Sequence, residues 1–83
     1  LVHAVVPPGT LDAAVERHVA EVLAAGPEAV RAAKALIRDV WGRDAGEVAD
    51  FTAETLATRR VSGEGQEGLR AFLAKRPAAW VAR

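Results

Sequence analysis

The sequence predicts a mainly α chain with one short strand at its N-terminal end. Three observations carry this. Alanine dominates the apolar content: 51% of the 83 residues are hydrophobic, and 19 of these are Ala, a strong helix former that buries little area. Four stretches place larger apolar residues at helical spacing, and Gly, Pro, Ser or Asp stand at their junctions. One run, Leu1-Val2-His3-Ala4-Val5-Val6, reads as β.

Pro7-Pro8-Gly9 follows the strand as a rigid turn, and Thr10 stands where a helix N-cap is wanted. The first helix is predicted from about Leu11 to Ala25. Its stripe is Leu11, Ala14, Val15, Val19, Val22 and Leu23, with His18 inside it. Gly26 ends that helix, and Pro27 suits the first position of the next, where a missing N–H costs nothing. The second helix is predicted to run to about Trp41, with Val30, Ala33, Leu36, Ile37, Val40 and Trp41 on one side and Gly42 as its stop. Asp44 with Glu47 three residues later resembles a capping box. The third helix carries Val48, Phe51, Thr55 and Leu56 and ends near Arg60. Ser62 then caps a fourth, through about Arg76, with Leu69, Phe72 and Leu73 on its apolar face. Pro77 breaks it, and Gly63, Gly65 and Gly68 weaken its start.

Composition narrows the function classes. Eleven basic and eleven acidic side chains leave zero net charge, against the basic excess that nucleic-acid binding needs. No apolar run approaches a membrane span, and no signal-peptide pattern is present. The lack of Cys excludes disulfides and thiolate metal sites and fits a cytoplasmic protein. His3 and His18 have no carboxylate at metal-ligand spacing, so no metal site is expected. Glu47, Asp50 and Glu54 share one helix face, yet no apolar pocket beside them would raise a carboxyl pKa; a solvated face is expected rather than acid–base chemistry. Glu64 and Glu67 are expected to complement the dipole of the fourth helix. Arg31, Lys34 and Arg38 form a basic strip, read as solvated. The absence of any Met, the Leu at position 1 and the strand without a partner lead to the expectation that the chain is a piece of a longer protein.

The order of motifs resembles the C-terminal third of enoyl-CoA hydratases, in the enoyl-CoA hydratase/isomerase (crotonase) superfamily. The resemblance covers essentially the whole chain. It is carried by the strand, by Pro27-Glu28-Ala29-Val30 leading into Lys34-Ala35-Leu36-Ile37, and above all by the run from Ser62 to Pro77. Within that run, Glu67-Gly68-x-x-Ala71-Phe72-x-x-Lys75-Arg76-Pro77, followed by Trp80, is the most specific piece. The resemblance implies that residues 1–9 end a ββα spiral core and that residues 10–83 form a C-terminal helical trimerisation and lid region. It further implies that the parent adds water to enoyl-CoA thioesters, with the oxyanion-hole N–H groups and catalytic Glu lying upstream. No catalytic residue is therefore expected here. Phe72 and Lys75 match family positions near the adenine and phosphates of CoA, often supplied to a neighbouring subunit. By spacing alone Phe72 reads as a core residue on the stripe of Leu69 and Leu73, and Lys75 as a solvated helix-end cation. Gly63 departs from the family pattern, where a helix-favouring residue is common. The implied partners are further copies of the chain and acyl-CoA, with no nucleic acid and no membrane. The rival reading is a self-contained helical protein-interaction module.

Overall fold

The computed structural model describes residues 2–81. Four helices follow in order: α1 (Leu11–Ala24), α2 (Pro27–Val40), α3 (Ala45–Val61) and α4 (Gly63–Leu73). The expected N-terminal strand is not formed. Residues 2–6 carry no β-structure, no strand exists among the described residues, and Leu1 lies outside them. A strand is defined by ladder hydrogen bonds to a neighbour, and the described residues hold no second strand to supply them. The β-branched Val2, Val5 and Val6 are therefore insufficient. The segment instead runs beside α1, where Val6, Leu11, Val15 and His18 help line a shallow groove of about 330 Å³.

The helix boundaries obey local chemistry, with instructive departures. Gly9 adopts φ 84° in the Pro-Pro-Gly turn, a conformation that L side chains resist. Thr10 stands at the N-cap of α1, but its hydroxyl donates to the Pro7 carbonyl at 2.6 Å and accepts nothing from the helix. Asp44 likewise occupies the N-cap of α3 without a side-chain cap bond, and Glu47 turns back to Arg43, with 3.5 Å between its carboxylate and Nε; the capping box is not made. Ser62 does cap. Its Oγ accepts from the Gly65 N–H at 3.0 Å while its own hydroxyl donates to the Arg59 carbonyl at 2.6 Å, so one residue separates α3 from α4. Gly42 closes α2 at φ 74°, as its sequence position predicts.

α4 ends at Leu73, earlier than expected. The Arg76 N–H donates to the Ala71 carbonyl (3.0 Å) and the Lys75 N–H to that of Phe72 (3.2 Å), the two bonds of a Schellman motif. The left-handed residue of that motif is Lys75, at φ 52°. A glycine would usually hold this place, and a side chain there costs roughly 1–2 kcal/mol.

Packing is thin. α2, α3 and α4 lie against one another, while α1 has no comparable contact with any of them. Among the described residues Val48 (7% exposed) and Ala71 (3%) are the buried apolar ones. α3 shows why: Val48 faces inward while Leu56 and Val61, elsewhere on its circumference, face solvent. The Cα radius of gyration is 16.3 Å; a close-packed domain of this length would have about 12 Å. The accessible surface is 6988 Å², against about 4,700 Å² for a close-packed chain of this mass.

The junction between α3 and α4 tests this description. A Cβ on Gly65 would meet the backbone carbonyls of Arg59 and Arg60, which cannot yield, whereas nothing lies within 4 Å of one on Gly63. Gly65→Ala should lower the thermal midpoint followed by helical circular dichroism. Gly63→Ala should raise it, corresponding to a gain of up to about 1 kcal/mol.

Candidate functional site

The run Ser62-Gly63-Glu64-Gly65-Gln66-Glu67-Gly68 is the structural hub, and nearly every member has a separate task. Glu64 sits on the first turn of α4, but its carboxylate does not serve that helix. Oε2 accepts from the Glu28 N–H at 2.9 Å and Oε1 from the Ala29 N–H at 2.8 Å. These are two of the N–H groups that the first turn of α2 leaves without intrahelical partners, and a negative charge also complements that end of the helix dipole. A Cβ on Gly26 would crowd the Glu64 carboxylate in this position. Arg59 of α3 adds a long contact, 3.4 Å from Nη1 to Glu28 Oε2. It is screened and worth at most about 1 kcal/mol. Gln66 donates from Nε2 to the Arg60 carbonyl at 2.8 Å, satisfying an end group of α3.

Glu67 reaches the other way. Arg76 grips it with Nη1 on Oε1 at 2.6 Å and Nη2 on Oε2 at 3.3 Å, and the Ala79 N–H donates to Oε1 at 3.0 Å. The Arg76 hydrogen bond is the main cause holding the Glu67 carboxyl below its ordinary value, followed by the Ala79 N–H; partial desolvation opposes them, and the charges of Arg76 and Arg70 assist. Gly68 makes room for Trp80, whose ring would lie 3.3 Å from a Cβ at that position. Beneath these residues Ala29, Leu56, Leu69 and Trp80 line an open, mainly apolar groove of about 570 Å³, with Arg59 and Arg60 at its edge.

The two residues assigned to CoA by resemblance lie at the far end of α4. Phe72 is 80% exposed and stands beside the equally open Leu73, so it is not a core residue of this chain. Lys75 follows the helix in its left-handed conformation, its ammonium in solvent with no carboxylate partner among the described residues. The carboxylates Glu47, Asp50 and Glu54 are exposed on α3, as expected for a solvated face, and Arg31, Lys34 and Arg38 are exposed on α2. His18 lies 3.6 Å from Glu21 on the surface of α1, and His3 is exposed. No grouping of three or more His, Cys, Asp or Glu able to hold a metal occurs among the described residues. Among the described residues no helix is long and apolar enough to cross a membrane.

Sequence reasoning expected Glu64 and Glu67 to serve the dipole of their own helix. It missed that Glu64 caps a different helix, because the partner lies 35 to 36 positions away and no local spacing signals it. Compared with protein-family models, with curated proteins and with solved structures, the chain finds no match.

Glu64→Ala is expected to cost about 1 kcal/mol, within the range for loss of a helix cap, and to lower the melting midpoint by about 4–8 °C. The Glu67 carboxyl should titrate below its ordinary value of 4.5 in a carbon-13 NMR pH series. Because the folded value is depressed, its contribution to stability is complete above the ordinary glutamate range and lost as pH falls through the depressed value. Glu67→Gln should flatten that part of the stability profile.

Proposed function

We propose that this chain is the C-terminal helical region of an enoyl-CoA hydratase/isomerase family protein, supplying oligomerisation surface and part of a CoA site while holding no catalytic group itself. One observation carries the reading beside the motif resemblance: the chain exposes about 2,300 Å² more surface than a close-packed chain of its mass. Among the exposed apolar residues are Leu11, Val15, Val19, Val22 and Leu23 on α1, Ile37 and Trp41 on α2, and Leu69, Phe72 and Leu73 on α4. Apolar side chains exposed along helix faces in this way support the reading of an interaction surface.

In this reading the neighbouring surface is another copy of the same protein together with its upstream part. Phe72 offers an open aromatic face to adenine, and Lys75 offers an exposed ammonium to phosphate. The parent reaction would be addition of water across the double bond of an enoyl-CoA thioester, carried out by residues outside this chain.

The test is light scattering after gel filtration, joined to titration with CoA monitored by amide NMR. Self-association is expected, with CoA shifting the Phe72 and Lys75 amides. Phe72→Ala and Lys75→Gly should each weaken CoA binding about tenfold, equivalent to about 1.4 kcal/mol. Lys75→Gly should at the same time raise the melting midpoint, since glycine relieves the left-handed backbone. A monomer indifferent to CoA would sink the proposal in favour of a self-contained helical interaction module.

A further inference from the structure

We infer that residues 76–81 form a strap that sets the orientation of α1, with Glu67 as its anchor and Trp80 as its pin. α1 has little else to hold it. It lacks the packing that α2, α3 and α4 share, and it joins α2 through two non-helical residues, Ala25 and Gly26, both with extended backbone angles. Such a connection is a hinge, because a small change in φ or ψ at either residue swings the whole helix.

The strap bridges this hinge. It leaves α4 through the left-handed Lys75, which reverses the chain and sends it back along the helix. Arg76 then binds Glu67 by two hydrogen bonds, and the Ala79 N–H binds the same carboxylate, so the anchor fixes both the side chain and the backbone of the strap. The charged groups facing Glu67 are Arg76 of the strap and Arg70 of its own helix. The next residue, Trp80, crosses over Gly68 and donates its indole N–H to the Ala24 carbonyl of α1 at 3.0 Å. That carbonyl belongs to the last turn of α1, where no intrahelical donor is available. Trp80 therefore completes one helix while leaning on another.

The indole also divides two apolar grooves. One, of about 570 Å³, lies among α2, α3 and α4; the other, of about 330 Å³, lies against Ala20, Leu23 and Ala24 of α1. Both are lined by Trp80, so lifting the strap joins them and frees α1 to redirect its exposed stripe. The strap is thus a conformational device that sets where the α1 surface points. This inference does not depend on the CoA reading.

The chain has no cysteine, which allows a clean distance measurement. Ala13→Cys on α1 and Ala53→Cys on α3, both exposed positions, would carry nitroxide labels in the full chain, diluted into excess unlabelled chain. Electron–electron double resonance should show one narrow distance in the parent. Trp80→Ala should lose the narrow peak while keeping the helical circular dichroism, and Trp80→Phe, which keeps a ring but not the N–H donor, should fall between. Glu67→Gln should broaden the peak too, since it loses the charge that grips Arg76. If Trp80→Ala unfolds the chain, Glu67→Gln, which leaves every apolar contact in place, decides the matter. An unchanged narrow peak in the folded variants, or a broad distribution in the parent, would overturn the strap.

Discussion

The carboxylate of Glu64, bound to the first turn of α2, is the contact on which the arrangement of the inner helices depends. It joins α4 to α2 by accepting two hydrogen bonds, from the backbone N–H groups of Glu28 and Ala29. The same short segment is tied to α3 through Ser62 and Gln66. A hydrogen bond to a charged group contributes about 1.5–3 kcal/mol in a sheltered setting, and solvent reduces that here. Full burial of one valine contributes a similar amount. With only Val48 and Ala71 buried among the apolar residues described, a polar latch of this size weighs as much as the core itself.

That balance explains the glycines. Glycine is a poor helix residue, and three of the first six positions of α4 are glycine. Two of the three earn their place through close approach, since Gly65 lies under the last carbonyls of α3 and Gly68 under the Trp80 ring. Local helix propensity is sacrificed where two pieces of backbone, or a ring and a backbone, must nearly touch. Gly63 meets nothing, and the structure offers no physical account of it.

The same carboxylates bear on function. Glu64 and Glu67 are both occupied in holding the chain together, and Glu47, Asp50 and Glu54 are open to solvent. What the chain offers instead is surface: ordered stripes on α1 and α4 with an aromatic ring and a lysine at the end of α4.

By itself, the sequence determined the four helices and most of their limits. Helical periodicity, Pro27 at a helix start, Ser62 at a cap and Gly42 at a stop act within a few residues, through sterics and local hydrogen bonds that need no distant partner. Even there, Thr10 and Asp44 carried the right chemistry in the right place and made other contacts or none, because a cap competes with neighbouring acceptors and with water. Tertiary structure decided the rest. It left Val2 to Val6 without a strand, since a ladder needs a second chain segment. It turned the stripes on α1 and α4 outward, since periodicity marks a face but does not supply what covers it. It gave Glu64 to α2 and Trp80 to α1, since contacts across 36 and 56 positions exist only once the chain has folded back on itself.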